Sequence, residues 1–347
     1  MFLAVTHIYN MSMNSVMSVA AVLTTHNSGS FITAMLESIL QQTVLPDELV
    51  ISDDASTDGT ADRVRAFVDA NAQRLRGVQV QVLEGTERLG VAGNYGRALR
   101  AASAELVAIG DHDDLWEPRH IEVMRDCFME EPDLQVVASN AIVVDGAGAE
   151  LGLTIHDYIG ITPTERAQLC GSEPYRALVR RPLMTGPTMM VRRRTAVASL
   201  PIDEGFFQDE WLAFACAAVG RARLLPDVLT RYRQHASNTL GVAIRGPFGA
   251  KVDKIAALTR SRRRANRDGV ARAERRLRGL ERMGPAVSPR VLAHVRADLA
   301  HERWRCALPR LRVARVPAVL GAARAGRYGE FDQGLRDALR DVLAARH

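Results

Sequence analysis

Cysteine is scarce: Cys127, Cys170, Cys216 and Cys306 are spread over 347 residues with no Cys-x-x-Cys pair. That spacing excludes a disulfide-stapled secreted scaffold and a zinc site built from cysteines. No run approaches the ~18 consecutive apolar residues that a membrane-spanning helix needs. The N-terminus lacks the basic stretch and apolar run of a secretion signal. A soluble protein in a reducing, cytoplasmic location is therefore expected. Lysine is missing between Met1 and Gly241, which removes receiver-type phosphoacceptor domains, since these need a lysine at a later strand end. No Gly-x-x-x-x-Gly-Lys-Ser/Thr loop occurs, so P-loop NTPases are excluded, and no glycine-rich dinucleotide fingerprint follows the first apolar run.

What is present is a chain that is 47% hydrophobic and 24% charged. At this length it can bury a full core without covalent staples, and two domains, or one large domain with an extension, are expected. The net charge of +5 hides a split. From Arg245 onward there are 25 basic against 10 acidic residues, a balance of +15, whereas residues 1–244 carry −10. Such asymmetry points to two parts with different partners. An acidic front half that handles an anionic ligand needs a metal ion or local cations.

Residues 1–17 show no periodicity and read as a disordered leader. From Ser18 the pattern alternates. Apolar runs at Ser18–Leu23, Glu48–Ser52, Val78–Leu83 and Glu105–Gly110 read as strands, and helical stripes at Ser30–Gln41, Thr60–Leu75 and Gly93–Ala102 separate them. This is the signature of βαβ units, an α/β fold with a mostly parallel sheet flanked by helices. Further strands are expected at Gln135–Val144, Thr188–Val191 and Arg223–Tyr232, with helices at Pro163–Leu169 and in the second half of Glu204–Val219. Beyond Gly249 the sequence turns to Arg/Ala/Leu-rich helices, broken near Gly284-Pro285, Pro309 and Gly326.

Ligands of parallel sheets bind beyond the carboxyl ends of strands. Two of the first four strands end there in acidic groups, Asp53-Asp54 and Asp111-His112-Asp113-Asp114. Clustered carboxylates repel unless a cation or a donor network compensates them. Mg²⁺ or Mn²⁺, held by one or two carboxylates plus ligand phosphates, suits the second cluster. A solvated turn with Asp114 as a helix cap fits the same residues.

Four segments, Val22–Asn27, Leu36–Thr43, Asp53–Thr60 and Asp111–Pro118, together resemble glycosyltransferase family 2 of the GT-A fold. Gln208–Ala213, then Tyr232–His235 with Asn238 and Gly241, and Thr185–Met190 are similar to the bacterial rhamnosyltransferase-type branch. Two departures stand out: His26 replaces the usual Tyr, and Thr24 a common Pro. The resemblance implies a GT-A catalytic domain over residues 18–241, with a Rossmann-like nucleotide-binding half, and a basic α-helical extension over 242–347.

The activity it implies is metal-dependent, inverting transfer of a sugar from a nucleotide-diphosphate donor to a glycan or lipid-linked acceptor. Rhamnose and a dTDP- or UDP-linked donor are the expectation, in bacterial polysaccharide or glycolipid synthesis. Thr25, His26, Asn27, Asp53 and Asp54 would border the nucleobase, and Asp111 and His112 the rest of the nucleotide. Asp111 and Asp113 would hold the Mn²⁺ or Mg²⁺, with His235 closing the site. Arg88 and Arg97 are candidate cations for the diphosphate. Asp209 is the expected general base, since inversion by single displacement needs one carboxylate opposite the leaving group. Glu210 is the alternative, its side chain about 100° away around the helix. Asp114, Gly186, Trp211 and Arg233 would border the acceptor and donor sugars. For His235 a second role stands beside metal binding, contact with the diphosphate together with Arg233.

Two rivals differ in kind. A sugar-nucleotide nucleotidyltransferase wants a Gly-rich basic loop after the first strand, which Thr24–Ser30 lacks. A non-catalytic carbohydrate- or membrane-binding scaffold would not need Asp111, Asp113 and Asp209 together. The basic tail suits either packing on the catalytic domain or the anionic inner face of the plasma membrane, where each cation contributes about 1 kcal/mol. Nucleic acid is not an expected partner, because Phe248, Trp304, Tyr328 and Phe331 are too sparse for a stacking surface.

Overall fold

In the computed structural model, residues 16–235, 262–309 and 311–343 are described. The expected leader falls almost wholly outside them, as do the domain boundary near Gly241–Gly249 and the first residues after it.

Four parallel strands make the first half of the sheet: β1 (Val19–Thr25), β2 (Glu48–Asp53), β3 (Gln79–Glu84) and β4 (Leu106–Asp111), in the order β3-β2-β1-β4. Strands β1 and β2 are buried at every position and β4 at all but its last, which is why they read as unbroken apolar runs. Alternate residues serve opposite faces. Ala20 and Val22 join one core cluster, and Val19, Ala21 and Leu23 join the other. Helices α1 (Phe31–Leu40), α2 (Thr60–Ala70) and α3 (Gly90–Ala101) connect these strands. In α1 the buried residues Ile32, Met35, Leu36 and Ile39 form one stripe at i, i+3, i+4 and i+7.

The second half of the sheet is mixed rather than parallel. β5 (Leu115–Trp116) and α4 (His120–Glu130) precede β6 (Leu134–Asp145), which pairs antiparallel with β7 (Glu150–Thr154). Short helices α5 (Ile155–Ile159), α6 (Pro163–Leu169) and α7 (Tyr175–Arg180) follow. β8 (Met189–Arg192) runs antiparallel between β4 and β6. After α8 (Arg193–Ala198) and α9 (Gln208–Val219), the long β9 (Arg221–Gln234) lies parallel to β6 and antiparallel to β5. Pairing of Leu115 with Arg231 lays the end of β9 over the acidic loop that follows β4.

The C-terminal region is helical, as expected: α10 (Arg262–Arg282), α11 (Pro289–Ala307), α12 (Arg312–Arg324), α13 (Arg327–Phe331) and α14 (Leu335–Leu343). Breaks fall at the Gly284–Ala286 turn, at Pro309 and at Gly326. Leu280, Met283, Val287, Val291 and Val295 share one core cluster with Trp211, Leu212 and Phe214 of α9. The first two helices therefore pack on the α/β part. The last three surround Leu308, Val319, Tyr328 and Ala338, beside a buried network in which Arg305 bonds Glu302, Asp332 and Asp341.

Candidate active site

The two aspartates at the end of β2 have different work. Asp53 accepts from the Thr25 hydroxyl at 2.6 Å and from the Ser56 amide and hydroxyl at 2.9 and 2.6 Å, which ties the turn after β2 to the end of β1. Asp54 accepts from the amides of Leu89 and Gly90 at 2.6 and 2.9 Å. It thus satisfies orphan donors at the start of α3, where a carboxylate also suits the helix dipole. This long-range cap starts α3 at Gly90 rather than at Gly93. His26 Nδ1 donates to the Asp54 carbonyl at 2.8 Å, and Thr57 donates its amide to Asn27 Oδ1 at 2.9 Å. Asn27 and Ala55 take left-handed backbone angles here, φ 50° and 56°, and asparagine tolerates that region better than most residues.

These loops open on a cleft of about 520 Å³. Thr25, His26, Asn27, Asp54 and Arg88 line it, as do Asp111, His112, Asp113 and Asp114, and it reaches Thr185, Phe207 and Asp209. Tyr95 donates its hydroxyl to Asp111 Oδ1 at 2.5 Å. Burial, with Asp113 adjacent, pushes the Asp111 carboxyl up to about 7, against the pull of the Tyr95 hydrogen bond. Asp209 stands in the first turn of α9 and accepts from the Gly186 amide at 3.1 Å and the Glu210 amide at 2.7 Å. Burial raises it to about 6 despite both donors. A β-carbon built on Gly186 would lie 3.5 Å from the Asp209 β-carbon and 3.8 Å from Asp111 Oδ2, so the two carboxylates flank Gly186.

Past β4, Asp113 Oδ2 lies 2.9 Å from His235 Nε2. Phe31 stacks on that imidazole, ring centroids 4.6 Å apart and planes within 16°. Among the described residues no group of three His, Cys, Asp or Glu is arranged to hold a metal ion by itself. Asp111, Asp113 and His235 are therefore not a ready three-ligand cage, because Asp111 is engaged by Tyr95 while Asp113 meets His235. The donors nevertheless fit a hard divalent ion that keeps positions for phosphate. The 2.9 Å contact is a carboxylate–imidazole hydrogen bond, and both side chains are of the kinds that Mn²⁺ takes as ligands.

The profile of Glycosyl transferase family 2 matches residues 20–199, more than half of the chain. The chain belongs to glycosyltransferase family 2. An uncharacterized glycosyltransferase of Nostoc sp. is 24% identical over 233 residues, 64% of this chain and 66% of that protein. A UDP-Glc:alpha-D-GlcNAc-diphosphoundecaprenol beta-1,3-glucosyltransferase of Escherichia coli is 27% identical over 131 residues, 36% of this chain and 49% of its own length. The chain thus spans about half to two thirds of these relatives. Among solved structures, a mannosyltransferase of Pyrobaculum calidifontis in complex with GDP-Man and Mn²⁺ superposes with a TM-score of 0.51. It is 22% identical, and the match covers 90% of this chain and 77% of that one. The likeness establishes a shared GT-A architecture.

Within this family 2 fold several expected site residues take other places. Glu210 turns away from the cleft, is buried and pairs with Arg272 of α10. Helical geometry separates it from Asp209 so completely that it faces another element. Trp211 does not wall the cleft either. It is 1% exposed and donates its indole N–H to the Ser199 carbonyl at 3.0 Å. Arg233 donates its amide to Asp114 Oδ1 at 2.7 Å, Nε to the Asp113 carbonyl at 2.8 Å and Nη1 to the Gly146 carbonyl at 2.9 Å. It thereby ties the end of β9 to the loop after β4 and to the β6–β7 turn instead of lining the cleft. Arg97 hydrogen-bonds Ser52, the Asp53 carbonyl and Asn94, so its guanidinium belongs to the end of β2. Arg88 keeps an exposed side chain at the cleft, 4.0 Å from Asp54.

Sequence reasoning missed Tyr95, Phe31, Ser28 and Phe207. Tyr95 and Phe31 sit in helical apolar stripes and read there as core. The buried Ser28 hydroxyl lines the cleft with no hydrogen-bond partner among the described residues. Phe207, the residue before α9, is the exposed aromatic at the cleft, the place assigned from sequence to Trp211.

Proposed function

We propose that this family 2 chain transfers a sugar, with inversion, from a nucleoside-diphosphate donor to an acceptor hydroxyl, with Asp209 as general base. The observation that carries this is Asp209 and Asp111 flanking Gly186 within one cleft that also contains the β1 and β2 turns. A carboxylate raised to about 6 is poised to take a proton near neutral pH. Gly186 and Glu210 orient it through their amides, so that its remaining lone pairs face the acceptor.

His26, Asn27 and Thr25 border the nucleobase in this reading, and Asp54 keeps acceptor capacity for a base N–H beside its helix-capping role. Asp113 and His235, with Asp111 nearby, would hold Mn²⁺ or Mg²⁺. When bound, that ion offsets the charge of the leaving diphosphate. Tyr95 fixes one oxygen of Asp111 and so orients the other. Arg88 supplies a cation at the same cleft. The donor is read as dTDP- or UDP-linked, with rhamnose the favoured sugar, and the acceptor as a glycan or lipid-linked glycan of the cell envelope. The E. coli relative, named for a diphosphoundecaprenol-linked acceptor, supports the acceptor class.

No helix among the described residues is long and apolar enough to cross a membrane. A peripheral position on the inner face of the plasma membrane is supported by the +15 balance from Arg245 onward and by exposed leucines on α14.

The test is nucleoside-diphosphate release from UDP-glucose, dTDP-rhamnose and GDP-mannose, with NMR of the anomeric centre of the product. Inverted product from wild type and none from Asp209→Asn supports the reading. Retained configuration, or an active Asp209→Asn, overturns it.

A further inference from the structure

Helix α10 carries Arg272, Arg275, Arg276, Gly279 and Arg282 at i, i+3, i+4, i+7 and i+10, a single face of a helix. From sequence the basic tail suits either packing on the catalytic domain or an anionic membrane face. In the structure every member faces the polypeptide around α9. Arg272 pairs with Glu210, and its guanidinium carbon lies 4.9 Å from the Phe206 ring centroid. Arg275 Nε is 3.2 Å from Asp203. Arg276 donates to the Val179 carbonyl at 3.2 Å and to Asp298 at 2.7 Å, and Arg282 donates to the Pro201 carbonyl at 3.1 Å.

Glycines on both sides permit this fit. A β-carbon at Gly279 would stand 2.1 Å from Trp211 Cη2, and one at Gly205 would stand 2.3 Å from Arg275 Nη1. The stripe therefore closes on the segment that leads into Asp209. The Glu210 backbone amide, in turn, donates to Asp209 Oδ1 at 2.7 Å. Arg272 holds the Glu210 side chain, and Glu210 holds the Asp209 carboxylate.

We propose that α10 is part of the catalytic apparatus, with Arg272 a positioning residue that acts through Glu210 to fix the first turn of α9 and the Asp209 carboxylate. This rests on the reading of Asp209 as general base. Loss of the Arg272 guanidinium leaves a buried carboxylate at residue 210 without its cation, and the first turn of α9 relaxes to rehydrate it. The Asp209 oxygens then leave the line set by Gly186 and Glu210, which lowers turnover and leaves the nucleotide pocket intact.

Four full-length variants test this: Arg272→Gln, Arg272→Lys, Glu210→Gln and the double variant Arg272→Gln/Glu210→Gln. Turnover is read as nucleoside-diphosphate release from whichever of UDP-glucose, dTDP-rhamnose or GDP-mannose wild type consumes. Placement of Asp209 is read separately by hydrogen exchange at the Gly186 and Glu210 amides, which needs no activity. Arg272→Gln should lower kcat about 10-fold or more, with donor KM within about 2-fold. Exchange at both amides should quicken while β1 and β4 stay protected. Arg272→Lys should recover most of both effects, and the double variant should be no worse than Arg272→Gln. Unchanged kcat and exchange in Arg272→Gln, or additive losses in the double variant, overturn the proposal. Should Arg272→Gln not fold, Glu210→Gln carries the same test, and wild-type exchange at Gly186 in that variant overturns the proposal. Asp209→Asn separates the two levels: if it stays active the base assignment fails, and if it is dead while Arg272→Gln is unimpaired only the positioning role fails.

Discussion

The Gly186 amide donates to Asp209 Oδ2 at 3.1 Å, and the same glycine would carry a β-carbon 3.8 Å from Asp111 Oδ2. The short turn before β8 thus serves as both hydrogen-bond donor and spacer between two carboxylates. A methyl group fits at ordinary contact distance, so Gly186→Ala should fold and keep most activity. Gly186→Val places two more carbons between the carboxylates and should cost at least about 10-fold in kcat/KM, as small displacements at a reacting centre do. Steady-state kinetics of the pair checks this, and equal activity in both would contradict it.

The pH profile follows from burial of Asp209, whose pKa stands at about 6. A general base must be ionised, so kcat/KM should rise with pH through about 6 and level off above it. Asp209→Asn should remove that limb together with nearly all turnover, a loss of the order of 10²–10⁴-fold. A wild-type rate that is flat from pH 5 to 8 would argue for another base.

The same shift has a stability consequence of fixed sign. Asp209 is raised above its ordinary 3.8, so between about pH 4 and 6 the folded state binds a proton that the unfolded state has lost. Stability therefore falls as pH rises through that window, and the full penalty is present above it. Asp209→Asn carries no such penalty. Its Tm should exceed that of wild type by a few degrees at pH 8 and converge with it near pH 4, measured by calorimetry in metal-free buffer.

Leu335, Leu339 and Leu343 recur at i, i+4 and i+8 on α14 and are 72%, 46% and 61% exposed. A basic protein with such a face should float with vesicles containing anionic lipid, and less with neutral ones. Serine at all three positions should abolish flotation without changing nucleotide binding. Flotation unaffected by the triple change would place the contact elsewhere, and no flotation of the wild type would remove it.

Much of the α/β part was legible because each strand and helix carries its own period. Buried parallel strands show as apolar runs, and Asp53-Asp54 and Asp111–Asp114 fall at strand ends, where such folds bind ligands. What escaped was non-local. The Asp54 cap on Leu89 and Gly90 joins residues 35 and 36 positions apart, so the start of α3 could not be read from its own sequence. Antiparallel β8 looks like any short apolar run, and its pairing between β4 and β6 depends on the chain path. Packing of the basic helices on the catalytic domain was one of two expectations, but the pairs Arg272–Glu210 and Arg275–Asp203 were not legible because the partners lie some sixty or seventy residues earlier. Trp211 and Phe207 exchanged places because burial of an aromatic is a tertiary property.

The most direct test of the donor site is calorimetric titration of UDP and dTDP, each with and without Mn²⁺, on wild type and Asp113→Ala. Binding that needs Mn²⁺ in wild type and is lost in Asp113→Ala is the predicted result, and the tighter nucleotide identifies the donor class. Failure of folded wild-type protein to bind either nucleotide, or binding indifferent to both Mn²⁺ and Asp113, would contradict the account.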